Sequence, residues 1–278
     1  MNLAQLLTDS AAERADRPAL KLDDATVTYA MLDDGSARVA ALLRERGVQP
    51  GDRVGIMLPN VPYFAVVYYG VLRAGATVVP MNVLLKAREV NFYLSDPAAK
   101  VLFAWHEFAA PAEQGAKEAG AELILVEPGG FEQLLERHEP DRDVAGRDDS
   151  DTAVILYTSG TTGTPKGAEL THGNLLSNVR TNLEIHEFSA GDVTFGALPL
   201  FHSFGQTCAL NTTIAAGGML TLLPRFDPGK ALEILQRDDV TLFQGVPTMF
   251  AAIVHHAGAE EADLSRLRAC ISGGIPMP

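Results

Sequence analysis

Ala153-Val154-Ile155-Leu156-Tyr157-Thr158-Ser159-Gly160-Thr161-Thr162-Gly163-Thr164-Pro165-Lys166-Gly167 joins a short apolar run to glycines, hydroxyl side chains and one cation. The apolar run has the length and make-up of a buried strand. The three glycines permit tight turns and let backbone N–H groups approach an anion closely. The interleaved threonines and serine add further donors, and Lys166 adds a mobile positive charge. Together these are the requirements of a polyphosphate site. A flexible linker would need neither a buried strand before it nor a lysine between Pro165 and Gly167. A Walker loop would set the lysine after glycine and before a Ser or Thr; here Lys166 lies between Pro165 and Gly167, and that pattern fails.

Outward from this stretch, strand-like and helix-like segments alternate along the chain. The alternation predicts an α/β fold of layered subdomains, with largely parallel sheets flanked by helices. Upstream, strands are expected at Asp52–Met57, Thr77–Val79, Lys100–Ala104 and Glu122–Val126. Helices are expected from Thr28 to Arg46, from Val61 to about Ala74, at Lys86–Leu94 and at Ala109–Ala119. The polar, acidic stretch Glu127–Thr152 reads as an exposed connector with one short helix at Phe131–Arg137, dividing the chain into 1–150 and 151–278. Downstream, helices are expected at Thr171–His186, Ser203–Ala215, Pro228–Arg237 and Pro247–His255. Strands are expected between them at Val193–Ala197, Met219–Leu223, Val240–Phe243 and Arg268–Ile271.

Composition narrows the function classes. The net charge of −13 over 278 residues argues against a nucleic-acid partner, which needs clustered Lys and Arg. Cys208 and Cys270 lack metal-ligand spacing and read as reduced core residues, and no metal ligand is assigned. The amino terminus carries early acidic charge and no long apolar segment, and the longest apolar run, Tyr63 to Leu72, is too short to span a bilayer. The cytoplasm is the expected location.

The stretch YTSGTTGTPKGAELTHGNL resembles the phosphate-binding signature of the adenylate-forming superfamily of acyl-CoA synthetases, peptide-synthetase adenylation domains and beetle luciferases. GVQPGDRVGIMLPN, AGATVVPMN, LPLFHSFGQT, PRFDP, QGVPTMF and ISGGIPMP resemble further segments of that family in the same order, covering nearly the whole chain. The resemblance implies that a carboxylate attacks the α-phosphate of ATP, and that a thiol then displaces AMP from the acyl-adenylate. Thr158, Ser159, Gly160, Thr161, Thr162, Gly163, Thr164 and Lys166 would hold the phosphates, by positioning and electrostatics rather than as nucleophiles. His202 would lie beside the reacting carboxylate, where peptide-synthetase domains carry an Asp that grips an α-amino group. That favours a substrate without an α-ammonium. Phe204, Gly205 and Gly245 would line the acyl site. Gly273, Gly274 and Ile275 would line the adenine and acyl pockets, although Ile275 replaces a smaller residue.

The resemblance implies ATP, Mg²⁺ and coenzyme A as cofactors and co-substrate, with a fatty acid the expected substrate and a monomer or homodimer the expected assembly. The family's Mg²⁺-associated Glu and its carboxy-terminal domain with a catalytic Lys are not found in these residues, so a fragment without full turnover is expected. Aryl-CoA ligase, acyl-AMP ligase and luciferase-like oxygenase remain alternatives within the family. A non-catalytic ATP- or acyl-binding module is the alternative outside it.

Overall fold

The computed structural model describes residues 1–158 and 165–276. The chain divides into two compact units: Met1–Thr8, Ala30–Pro59 and Tyr63–Ser177 form the first, and Asp9–Tyr29, Asn60–Pro62 and Asn178–Pro278 the second. In chain order the elements begin with α1 (Gln5–Arg14), β1 (Pro18–Leu22), β2 (Ala25–Thr28) and α2 (Tyr29–Glu45). They continue with β3 (Arg53–Met57), α3 (Pro62–Arg73), β4 (Thr77–Pro80), α4 (Ala87–Ser95), β5 (Val101–Trp105), α5 (Ala109–Ala119) and β6 (Glu122–Val126). Then come α6 (Gly130–Leu135), β7 (Thr152–Thr158), β8 (Lys166–Thr171), α7 (His172–Ile185) and β9 (Val193–Gly196). The chain closes with α8 (Thr212–Ala216), β10 (Met219–Leu222), α9 (Pro228–Arg237), β11 (Leu242–Gly245), α10 (Pro247–Val254) and β12 (Ala269–Ser272).

The first unit is built on a six-stranded sheet of order β6-β5-β3-β4-β7-β8, parallel except where β8 runs against β7. Its inner strands β3, β4 and β5 read as continuous apolar runs because both faces are covered. Met57, Val79, Met81, Leu102 and Ala104 pack with Val90 and Leu94 of α4 and Ala112 and Ala116 of α5. Gly115 permits this approach, since a Cβ there would lie 2.6 Å from the Val90 side chain. The α3 helix is buried nearly all round, as its unbroken apolar sequence predicts.

The stretch from Glu127 to Thr152 joins β6 to β7 of this one sheet instead of linking two subdomains, and β7 and β8 lie in the first unit, beyond the division expected at 150. Its polar composition is offset by anchors: Phe131 is buried, the Ala145 N–H donates to Arg73 O at 2.9 Å, and Arg142 pairs with Asp33 and Asp34.

The second unit has a six-stranded sheet of order β12-β11-β9-β10-β1-β2, again parallel apart from the β1–β2 hairpin. Phe195 and Phe243 meet edge to face at 5.1 Å and pack with Ala231, Leu232 and Leu235 of α9 and Met249 and Ile253 of α10. Asp227 caps α9, accepting from the Lys230 N–H at 2.9 Å, and Pro228 starts the helix. At the amino ends of the strands, Asp192 is buried beneath Arg268. Burial by itself would raise its pKa, but the Arg268 guanidinium, the Thr241 hydroxyl and Ser189 together hold it down to about 2. The free thiol of Cys270 is exposed on edge strand β12, not in the core as expected; Cys208 is half-buried, and burial pushes its thiol pKa up. No helix among the described residues is long and apolar enough to cross a membrane.

His172, the first residue of α7, is fully buried, and its Nδ1 accepts from the Leu3 N–H at 3.0 Å. Burial, reinforced by the nearby Arg147 charge, holds its pKa down to about 4. Because the folded value lies below the unfolded one, the unfolded chain takes up a proton that the fold refuses. Stability is therefore complete above about pH 6.5 and falls as pH drops toward about 4. Chemical denaturation should show about 2 kcal/mol less stability at pH 5 than at pH 7 from this group. The difference should shrink in His172→Leu; an unchanged pH dependence would remove His172 as its source.

Candidate functional site

In the first unit, β7 emerges at the carboxyl edge of its parallel neighbours, with Val154 beside Val78 of β4. Its last residue, Thr158, pairs across the ladder with Lys166, the first of β8, and both are exposed. Ser159, Gly160, Thr161, Thr162, Gly163 and Thr164 lie outside the described residues. The base of this hairpin is braced. Tyr157 stacks on Tyr93 with ring centres 4.3 Å apart and donates to Asp96, and burial together with that carboxylate pushes its phenol pKa well up. A Cβ on Gly167 would come within 2.9 Å of Ile155, so glycine lets β8 lie close to β7. A hydroxyl and an ammonium on one rung of a braced hairpin suit a phosphate oxygen.

In the second unit, the ends of β9, β11 and β12 share the carboxyl edge of the sheet. Gly245 lies beside Ser272, and Phe243 beside Phe195. After β9 the chain follows a loop held by Asn60, whose side chain is nearly fully buried. Its Nδ2 donates to Gly196 O at 3.1 Å and Leu198 O at 2.8 Å, while the Leu200 N–H donates to its Oδ1 at 3.0 Å. The His202 N–H then donates to Pro199 O at 3.0 Å, and the Gln206 N–H to His202 O at 2.9 Å. His202 is exposed, and its Nδ1 accepts from the Phe204 N–H at 3.3 Å, leaving the proton of the neutral ring on Nε2.

A regular α-helix was expected from Ser203 to Ala215. The structure instead has a π-helix over Phe204–Asn211 that passes into α8. Such wide turns cluster at functional sites. Gly205 sits where the helix presses on the loop, since a Cβ there would lie 2.3 Å from Pro199 O. The Phe204 ring covers Gly273, where a Cβ would lie 2.7 Å from it, and the Gly273 N–H donates to Gly245 O at 3.1 Å. Gly245 faces Phe243 and Phe250. Four expected residues, Phe204, Gly205, Gly245 and Gly273, are thus gathered with His202 at one sheet edge. Gly274, at φ +87°, and the exposed Ile275 continue from it. Lys166 and Thr158 belong to the other unit.

Asn60, Gln206 and Gln244 were not among the expected site residues. The available signal was a single amide set among apolar neighbours, in MLPNV, FGQTCAL and TLFQGV. Among the described residues, no three His, Cys, Asp or Glu side chains are grouped to hold a metal ion.

Two largely parallel sheets flanked by helices define the layered α/β fold of the amino-terminal domain of adenylate-forming enzymes. Residues 7–278 match the family model described as AMP-binding enzyme, and the chain belongs to that family of adenylate-forming acyl- and aryl-CoA ligases. It is 39% identical to a feruloyl-CoA synthase from Amycolatopsis over 260 residues, 94% of this chain and 52% of that protein. It is 30% identical to a long-chain-fatty-acid–CoA ligase from Bacillus subtilis, over 99% of this chain and 56% of the relative. A crystal structure of ATP-bound MatB from Rhodopseudomonas palustris superposes with a TM-score of 0.88 at 31% identity, covering 100% of this chain and 56% of that one. The chain spans about half the length of the curated relatives it matches.

Proposed function

We propose that this chain contributes the ATP- and acid-binding part of an AMP-forming acid–CoA ligase. The observation that carries the reading is the β7–β8 hairpin, where Thr158 and Lys166 face each other at the ends of the phosphate signature. In this reading Thr158, Ser159 to Thr164 and Lys166 gather the β- and γ-phosphates of ATP and offset the charge that develops on departing pyrophosphate. His202, with its proton on Nε2, donates to the acid's carboxylate and orients it. Phe204, Gly205 and Gly245 border the acyl group, and Gly273, Gly274 and Ile275 border the adenine. The reaction joins a carboxylate oxygen to the α-phosphorus and breaks that atom's bond to pyrophosphate. The thiol of coenzyme A then displaces AMP.

The acid lacks an α-ammonium, because His202 offers a donor and no carboxylate stands among residues 197 to 211. A fatty acid fits this description. An aryl acid is the second reading, favoured by the 39% identity to a feruloyl-CoA synthase against 30% to the fatty-acid ligase. Magnesium-dependent pyrophosphate release from ATP, measured with a panel of fatty and aryl acids on this chain and on the longest product of its gene, tests the proposal. Acid-dependent release supports it and the best acid names the substrate. ATP binding without release for any acid would put a non-catalytic binding module in its place.

A further inference from the structure

The first unit has a cavity of about 450 Å³ at the amino edge of its sheet, the opposite end of β7 from Thr158. Arg53, Thr77 and Thr152 open β3, β4 and β7 there, and Arg147, Ser150 and Glu169 complete its polar wall. Two guanidiniums meet around Gly51. Arg53 donates from Nη1 to Gly51 O at 3.2 Å, from Nη2 to Ala98 O at 3.2 Å and from Nε to Pro97 O. Its donors are thus spent on carbonyls, and among the described residues no carboxylate pairs with its charge. The Arg147 Nη1 lies 3.8 Å from where a Cβ on Gly51 would stand. The Arg147 Nε is 3.1 Å from Asp151 Oδ2, an ion pair too misaligned for a hydrogen bond. Among the described residues, Nη1 and Nη2 of Arg147 and the Ser150 hydroxyl have no hydrogen-bond partner.

Asp151 offsets one of the two guanidinium charges, and one remains. Across the cavity, Glu169 Oε2 accepts from the Thr152 hydroxyl at 2.7 Å, which leaves Oε1 open. The sheet order β3-β4-β7-β8 sets the backbones of Arg53 and Glu169 three strand spacings apart, about 14 Å. The lining is therefore bipolar: open donors and a surplus positive charge at one end, an open carboxylate oxygen at the other.

We propose that this cavity is a second binding site that takes a small zwitterion of amino-acid or dipeptide size. The ligand's carboxylate takes the open donors of Arg147 and Ser150, and its ammonium takes Glu169 Oε1. A polyphosphate would be repelled by Asp151 and Glu169, and a lone cation by the two guanidiniums. An apolar chain would cover the open donors without pairing them. Because the ligand joins the 147–151 turn to Glu169, it also fastens edge strand β8, which β7 alone holds.

The test is calorimetric titration of this chain with the common L-amino acids and glycyl dipeptides, with inorganic phosphate as the anion-only probe. At least one zwitterion should bind with a Kd below about 1 mM. Its N-acetyl and methyl-ester forms, each lacking one charge, should bind at least ~10-fold more weakly. Arg147→Met should remove the penalty of esterification, and Glu169→Gln that of acetylation. Glu169 is exposed, so the second variant keeps the fold even if the first does not. Bound ligand should slow backbone hydrogen exchange across Lys166–Thr171. The proposal is overturned if no zwitterion binds, if the acetylated form or phosphate binds as tightly, or if exchange in β8 is unchanged on binding. None of these outcomes bears on the acid-ligase reading, whose test is pyrophosphate release.

Discussion

Lys166→Met is expected to lower acid-dependent pyrophosphate release by roughly 100- to 1,000-fold, the scale seen when one preorganised donor to a developing anion is removed. The side chain is exposed at the first residue of β8. Exposed positions away from cores and caps typically change stability by less than about 0.5 kcal/mol, so the thermal midpoint should hardly move. The ammonium is placed by a stiff base: Tyr157 is pinned by Tyr93 and Asp96, and Gly167 lets the two strands touch. Turnover within threefold of wild type would remove Lys166 from the phosphate site. Loss of activity together with a lower melting temperature would show a structural defect instead.

Gly205→Ala should be the most damaging single methyl in the second unit. The new carbon would lie 2.3 Å from Pro199 O and 2.8 Å from Leu198 O, and both are backbone atoms that no rotamer change can move. Overpacking of this kind costs about 3 kcal/mol. For a chain of this size that lowers the melting temperature by roughly 6–12 °C. Relief requires the loop and the π-helix to separate, which displaces His202 and should abolish acid-dependent turnover. Gly146→Ala is the control, since nothing lies within 4 Å of its added carbon and its φ is ordinary. Equal melting curves for the two variants would show that the contact is not rigid.

The strands were legible wherever burial on both faces left an unbroken apolar run, as in Val101–Trp105 and Thr152–Thr158. Elements whose stability comes from distant partners were not. The β1–β2 hairpin has short, mixed strands and turns at Asp23, whose φ of +51° an aspartate tolerates. Its order comes from β10, about 200 positions away. β8 is exposed along most of its length and is a strand only because β7 pairs with it. The π-helix carries no periodicity that separates it from an α-helix over eight residues. At the site, glycines and the histidine could be located by motif. The amides could not, because their roles depend on backbone carbonyls that sequence places only after folding. The connector was misread because a polar stretch held by ion pairs and backbone bonds has the same composition as a free one.

The Asn60 strap has a consequence for the order in which the protein can be made. Its three hydrogen bonds go to residues about 140 positions later, and β1 waits longer still, about 200 positions, for β10. A ribosome adding roughly 5–20 residues per second leaves that amide and the early hairpin without their partners for about ten seconds or more. The first unit, whose sheet needs only residues up to Thr171, can assemble during that interval. The second needs β9, β10 and β11 from beyond residue 190, so until they arrive a nascent chain exposes a half-built sheet edge that a holding chaperone could reach.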